Sequence, residues 1–229
     1  MKAFVPHYLA LLLILGLADR SNAEEPKAKF VFIVAIGGEG RSFVEIDGKD
    51  LNPSGHLAGM ASGWLGVPAG DFKLKMEHEL YGIADATTKL NDGDKKVFVL
   101  HTETSPGRKE GRPPKKEAKV AALDVPTIVQ DTGPKKRVVI FSVSKNPDAK
   151  VFLGGKEVEL KPMKPVVCNS AGAGLFPSVE IPNPTPEEGM ERLAIASVNL
   201  ESSGVQLVVI FDGDEKQPLM AATVGLLEE

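Results

Sequence analysis

Apolar residues recur along the chain in short runs, and each run ends at glycine, proline, asparagine or aspartate. Residues 30–36 are continuously apolar and rich in branched and aromatic side chains, which predicts a strand covered on both faces. Residues 71–76 alternate instead, with Phe72, Leu74 and Met76 on one face and mainly charged residues on the other. That alternation predicts a strand with one buried face.

The runs follow one another at spacings of about ten residues, with turn-forming residues between them, which is typical of antiparallel β-sandwiches. One short helix, or otherwise a loop, is predicted at residues 185–188. There Thr185 is a capping residue, Pro186 suits the first turn and Glu188 suits the third position. The pattern as a whole predicts an all-β protein.

The opening pattern is written twice. Residues 29–51, KFVFIVAIGGEGRSFVEIDGKDL, read beside residues 136–158, KRVVIFSVSKNPDAKVFLGGKEV, at a constant offset of 107. Later, residues 90–101 read beside residues 200–211 at an offset of 110. Such internal similarity predicts an internal duplication that gives two tandem antiparallel β-sandwich units, immunoglobulin-like or transthyretin-like. The expected boundaries are residues 24–125 for the first unit, 126–135 for a linker and 136–229 for the second unit.

The N-terminus predicts a secretory signal peptide over residues 1–23. Lys2 supplies the positive charge, an apolar run follows, and the small residues Ser21 and Ala23 stand three and one positions before the cut. The expected protein is exported to the periplasm or the cell surface, without a transmembrane segment after cleavage. Its single cysteine, Cys168, cannot form an internal disulfide, so stability has to come from packing.

Turn and strand motifs of the first unit resemble a family of secreted bacterial β-sandwich domains of unknown function. The motifs are VEIDGK at 44–49, VPAGDF at 67–72 and LNDG at 90–93, and the similarity is clearest over residues 29–125. They are also similar to PEGA-type and carboxypeptidase-regulatory-type modules. The resemblance implies a module of the bacterial envelope or surface with no shared catalytic residues, so what it says of function is an analogy of fold.

Charge is distributed unevenly. The chain has a formal net charge of −4, yet residues 104–119 carry six basic and two acidic side chains. We predict that this proline- and glycine-rich loop contacts an envelope protein or an anionic polymer. It has no interleaved aromatic residues, which argues against nucleic acid. The candidate partner-binding residues are Arg108, Lys109, Arg112, Lys115, Lys116 and Trp64.

Trp64 is the only tryptophan, and Ser62 and Gly66 are its neighbours on the same face of a predicted strand. Small neighbours are compatible with an open ring that serves as a platform for a sugar or a peptide. A contact in the core or between the units is the alternative, because a buried tryptophan contributes a large apolar area.

A copper-binding protein is an alternative function. Met76 and His78 share a strand face, and together with His101 they offer soft ligands that suit copper. Met76 also continues the apolar face of its strand, which favours a place in the core instead. A third possibility is self-assembly through exposed sheet edges. No catalytic residue, metal site or cofactor is predicted, and the protein is expected not to be an enzyme.

Overall fold

The computed structural model describes residues 28–105, 115–129, 137–145, 150–169, 174–187, 190–201, 204–215 and 217–227. Within those ranges nearly all regular structure is strand, which confirms the predicted all-β class. The signal peptide predicted at residues 1–23 and most of the predicted linker, from residue 130, lie outside the described residues. No helix in the described ranges is long and apolar enough to cross a membrane.

Eight strands precede the short helix and eight follow it. The first eight are β1 Ala28–Val34, β2 Ser42–Ile46, β3 Lys49–Asp50, β4 Leu65–Val67, β5 Gly70–His78, β6 Gly82–Leu90, β7 Lys95–Ser105 and β8 Lys115–Asp124, and α1 is Val125–Val129. The second eight are β9 Arg137–Ser142, β10 Val151–Leu153, β11 Lys156–Val158, β12 Val166–Asn169, β13 Ser178–Glu187, β14 Met190–Ser197, β15 Val205–Asp212 and β16 Leu219–Gly225.

Each unit is built from two four-stranded sheets with the same strand order. The first unit has the orders β4-β1-β7-β8 and β3-β2-β5-β6, and the second has β12-β9-β15-β16 and β11-β10-β13-β14. Adding eight to each strand number of the first unit therefore gives the strand orders of the second unit. In each unit the two central strands, β1 with β7 and β9 with β15, pair in parallel. The expected wholly antiparallel pattern is wrong at this pair, because the chain visits the other sheet between its strands and so has the long crossover that parallel pairing needs.

The four sheets stack in layers, and we call β4-β1-β7-β8 and β12-β9-β15-β16 the inner sheets and the other two the outer sheets. Each inner sheet buries one face against the outer sheet of its own unit. In the first unit this core includes Phe30, Phe32, Phe72, Leu74 and Phe98. In the second it includes Val138, Ile140, Val179, Ile181 and Val208.

The opposite faces of the inner sheets pack against each other and form a third core, which joins the units. Its members from the central strands are fully or almost fully buried: Val31, Ile33, Val97, Val99, Val139, Phe141, Val205, Leu207, Val209 and Phe211. Successive side chains of a strand point to opposite faces. The even-numbered residues of β1 therefore pack in the core of the first unit, and the odd-numbered residues pack against the second unit. This confirms the prediction that residues 30–36 are covered on both faces. Because the units share a core, they form one packed body.

Two tight hairpins show the repeat at the level of turns. Asp47 and Gly48 between β2 and β3 both have positive φ, 45° and 82°, and so do Gly154 and Gly155 between β10 and β11, 53° and 79°. Positive φ at both central residues defines the turn type that matches the twist of a two-residue hairpin. These turns lie at the predicted offset of 107.

The opening strands, however, correspond at a different offset. Phe32 pairs with Phe98, and Ile140 pairs with Val208. Since β7 and β15 correspond at an offset of 110, Phe32 corresponds to Ile140, an offset of 108. A slip of one residue in a strand exchanges its two faces, so the ungapped alignment is wrong for β1 and β9.

The predicted helix at residues 185–188 is also wrong, because residues up to Glu187 belong to β13. Pro182, Pro184 and Pro186 stand at alternate positions of this strand and are all exposed. Each proline fixes φ near the extended region, and alternate spacing places the missing N–H groups on the same side. The observed helix α1 begins after Asp124, whose Oδ2 accepts a hydrogen bond from the Thr127 backbone N–H at 3.2 Å.

Candidate binding groove between the units

The basic loop leaves the first unit at the end of its longest ladder. β7 and β8 remain paired as far as Ser105 and Lys115, so the connection spans residues 106–114 rather than the whole predicted segment. Arg108, Lys109 and Arg112 lie outside the described residues. Lys115 and Lys116 begin β8 and are exposed. Lys115 Nζ lies 3.9 Å from Glu117 Oε1, an exposed pair of little strength, so Lys115 can still contact a partner.

A groove of about 300 Å³ opens beside this ladder, where the two units meet. Three segments line it: residues 101–103 at the end of β7, residues 143–145 after β9, and residues 162–163 in the turn before β12. Two of the three segments belong to the second unit, so the groove exists only because the inner sheets pack together.

His101 forms the buried wall of the groove, with 3% of its surface exposed. Burial lowers the pKa of His101, and the charges of Lys145 and Lys119 lower it further, while a backbone hydrogen bond at Thr102 and the charge of Glu103 oppose that change. The imidazole is therefore neutral near pH 7.

Ser144 and Lys145 fix the second-unit side of the groove. Ser144 Oγ donates to Asp212 Oδ1, at the end of β15. Lys145 Nζ donates to Thr104 Oγ1 across the groove at 2.8 Å. An ammonium group has three donors and Lys145 is exposed, so it can also bind an anion.

Met163 is held in an uncommon conformation at the rim. Its φ is 58°, its backbone N–H donates to Ser142 O at 2.9 Å, and 43% of its surface is exposed. In the first unit Gly59 makes the equivalent bond, to Val34 O at 2.8 Å, with a φ of 77°. Positive φ is easy for glycine and costly for methionine, so the second unit keeps a large side chain where the first has none.

The ladders locate a second corner that is equivalent to the groove. Ala35 N–H donates to Leu100 O, and Val143 N–H donates to Ile210 O in the same way. One position further, His101 is equivalent to Phe211, and by the offset of 108 Lys145 is equivalent to Gly37.

The second corner is closed. Phe211 is fully buried in the core between the units. Gly37 N–H donates to Asp212 O at 3.2 Å, and any side chain on Gly37 would collide with the backbone of Gly213. We refer to residues 35–37, 59 and 211–213 as the closed corner, and to the groove residues as the open corner.

Trp64 lies at the contact between the units, away from the groove lining. Its indole N–H donates to Gly225 O of the second unit at 3.0 Å, and the half-buried ring packs on the core that joins the units. Lys95 Nζ stands 5.5 Å from the ring centroid. Of the two alternatives for Trp64, the structure favours the contact between units, and a role in partner binding stays a prediction.

The three candidate copper ligands do not converge. Met76 is completely buried in the first-unit core, whereas His101 points to the opposite face of its sheet, toward the second unit. His78 stacks on Tyr81 at 4.8 Å, and its Nδ1 accepts the Leu80 backbone N–H at 3.2 Å. Across the part of the chain that the structure describes, no group of three or more histidine, cysteine, aspartate or glutamate residues could hold a metal ion. These positions argue against the copper alternative.

Sequence reasoning missed Lys145, Met163 and the place of His101 in a groove. One signal was present, because the offset of 110 aligns His101 with Phe211 and so marks a polar residue in a buried position. The groove itself needed knowledge of how the units pack, which no local pattern contains.

Fold and groove together define an all-β protein of two fused sandwiches with a polar corner at their junction. No protein-family model and no curated protein matches the chain. A solved structure of Bacteroides ovatus is similar at 11% identity, the mixed-linkage glucan utilization locus SGBP-B in complex with a mixed-linkage heptasaccharide. That similarity covers 90% of this chain and 68% of the other, with a TM-score of 0.20, which is too low to carry an argument about fold or ligand.

Proposed function

We propose that the protein is a non-enzymatic, exported binding module of the bacterial cell envelope, which contacts an anionic or protein partner through the basic loop of the first unit. The observation that carries this proposal is the position of the ladder end from which the loop leaves. Residues 104–119, with a net charge of +4, include the end of a continuous ten-pair ladder, and an open and partly cationic groove lies beside that ladder. A charged segment held on a rigid ladder concentrates its field at one place on the surface.

Exposed lysines of both units lie near the end of the β7–β8 ladder, on the surface proposed to bind the partner. Lys115 and Lys116 stand at the base of the loop, and Lys145 reaches the same ladder from the second unit through Thr104. The Ser144 hydroxyl donates its hydrogen bond to Asp212, and we assign no catalytic role to this serine.

Capture from a native envelope extract tests the proposed function. The mature protein would be compared with a variant in which residues 106–114 are replaced by Asn-Gly, a turn that suits a two-residue hairpin. A second variant keeps the loop length but replaces Arg108, Lys109, Arg112, Lys115 and Lys116 with serine. We expect a partner that only the unaltered protein retains, and that moderate salt releases, because salt screens exposed charges. Equal capture by all three proteins would refute the role of the loop.

Export is tested separately by the N-terminus of the protein recovered from the producing cells. Cleavage after Ala23 predicts that mass spectrometry finds Glu24 as the first residue. An intact Met1 in the envelope fraction, or recovery from the cytosol alone, would contradict export.

A further inference from the structure

We propose that the open corner binds a peptide segment that carries a carboxylate next to an apolar side chain. The inference rests on the proposed function and names the chemistry of its partner. Lys145 would meet the carboxylate, Val143, Pro162 and Met163 would receive the apolar group, and His101 would form the polar end of the groove.

The comparison of equivalent corners is the first step. The same strand ends meet twice, and packing closes one meeting point with Phe211, Gly37 and Gly213. At the open corner, His101 takes the place of Phe211 and Lys145 takes the place of Gly37, and a groove of about 300 Å³ remains. The fold therefore does not require an opening here, and the difference lies in the side chains.

The charges of the lining give the sign of the ligand. Among the described residues that line the groove, Lys145 and Glu103 carry a full charge, and Lys161 and Lys164 flank the turn that contributes Met163. All three lysines are exposed, so they can approach a ligand without the cost of burying an ammonium group. When Asp212 beside Ser144 is counted as well, three exposed lysines stand against two carboxylates in and next to the groove among the described residues, which favours an anion.

The apolar part of the lining favours a peptide over a glycan or a simple ion. Val143 is 7% exposed, and Pro162 and Met163 form an exposed apolar rim. Methionine adapts its shape to varied side chains and is common on surfaces that bind peptides. As far as the chain is described, the lining has no phenylalanine, tyrosine or tryptophan on which a sugar ring would pack, and a simple ion would leave the apolar rim unused. The volume is at the lower end of ligand pockets and suits one or two side chains.

The conformation of Met163 is an independent sign of use. The equivalent turn of the first unit has Gly59 at the residue with positive φ, whereas this turn has a methionine there, with a φ of 58°. Strained residues of this kind are concentrated at binding and catalytic sites, and the outlier here lines the groove.

A carboxylate in the groove would also change the protonation of His101. The charged groups that act on His101 are Glu103 on its own strand, Lys119 on β8 and Lys145 from the second unit. An added anion would favour the imidazolium form and so raise the lowered pKa of His101. Binding therefore takes up a proton and strengthens as the pH falls below about 6.5, while the ligand carboxylate stays ionised.

The test uses three defined probes with the full mature protein: the peptide acetyl-Leu-Glu-Leu-Glu-amide, its glutamine counterpart and inorganic phosphate. Calorimetry gives the affinity, and NMR follows the His101 ring and the Met163 methyl group. We expect saturable binding of the glutamate peptide with shifts at both groups, and binding at least about tenfold weaker for the glutamine peptide, the size of effect that one charge-assisted contact supports.

Three variants test whether the peptide binds in the groove. His101→Phe copies the residue of the closed corner, Lys145→Met removes the cation, and Met163→Gly copies the equivalent turn. Each should weaken the glutamate peptide at least about fivefold, roughly 1 kcal/mol. Lys156→Met, on the β10–β11 hairpin of an outer sheet, is the matched control and should bind like the unaltered protein.

The outcomes separate this inference from the proposed function. Failure of the glutamate peptide to saturate, equal affinity for phosphate, or unchanged binding in His101→Phe and Lys145→Met would each overturn the peptide site. The protein with residues 106–114 replaced should still bind the glutamate peptide. Envelope capture that depends on the loop but is insensitive to the groove variants would refute the peptide site and leave the proposed function standing.

Discussion

The open and closed corners are two results of the same local fold. In both, the residue directly after Leu100 or Ile210 of a central strand points at the other unit, and a loop from that unit lies against it. Where the residue is Phe211 and the loop has Gly37, the corner packs solid. Where the residue is His101 and the loop has Lys145, a groove remains. The comparison shows that two units with the same strand order can fill one junction with side chains and leave a groove at the other.

The largest expected effect comes from truncating the two equivalent residues. Phe211→Ala should lower the free energy of unfolding by about 3–5 kcal/mol, because it leaves a cavity in the core between the units. His101→Ala should cost less than about 2 kcal/mol, because the groove already leaves that corner loosely packed. Urea denaturation of both variants measures the difference.

A comparable loss in the two variants would show that the corners are packed alike. The slope of unfolding against urea has to stay constant across the series, so that a change in midpoint reports stability.

The next effect concerns the loops that approach those residues. Gly37→Ala should destabilise the protein by about 1–3 kcal/mol, because a β-carbon there collides with the backbone of Gly213, which cannot move as easily as a side chain. Lys145→Ala, at the equivalent position, should change stability by less than about 0.5 kcal/mol, because the side chain is exposed. Thermal unfolding of the pair tests this, and a tolerated Gly37→Ala would mean that the closed corner can open.

Much of the fold was accessible from local patterns. The apolar run at residues 30–36 and the alternation of Phe72, Leu74 and Met76 gave the correct burial of β1 and β5. Asp47-Gly48 gave a correct turn, because positive φ at two successive residues strongly restricts the sequence. These features depend on a few neighbouring residues, so the sequence contains them directly.

What failed depended on contacts between distant segments. The ungapped repeat places Phe30 opposite Arg137, and only the pairing of β1 with β7 shows that the correspondence shifts by one residue before the hairpin. The helix predicted near Thr185 was overruled by pairing of β13 with β14. The open corner is a product of two units packing face to face, and no spacing within either unit encodes it.

A smaller effect is expected from pH. Burial lowers the pKa of His56, His78 and His101 below the ordinary value of 6.5. Between the folded and the unfolded pKa, the unfolded chain binds more protons, so stability rises with pH there. The stabilisation from neutral histidines is complete above about pH 6.5 and is lost as the pH falls below that value.

Of the two corners, only the open one contains a histidine that contributes to this pH dependence, because the position equivalent to His101 in the closed corner is Phe211. His101→Phe should therefore reduce the slope of stability against pH between about 6.5 and 5 without abolishing it, since the other two histidines remain. Urea midpoints at a series of pH values measure the slope. An unchanged slope would mean that His101 is as accessible to protons in the fold as in the unfolded chain.

The last expected effect concerns the two turns that support the corners. Met163→Gly should raise the free energy of unfolding by about 0.5–1 kcal/mol, because relief of the strain at φ 58° exceeds the greater chain entropy of glycine. Gly59→Ala, at the equivalent position with a φ of 77°, should lower the free energy of unfolding by about 1–2 kcal/mol, because alanine is strained at positive φ. The two shifts in melting temperature should therefore have opposite signs although the turns make the same hydrogen bond. If Met163→Gly lowered stability instead, the methionine side chain would contribute more by packing than its backbone costs, and its place at the rim of the groove would be explained by structure rather than by binding.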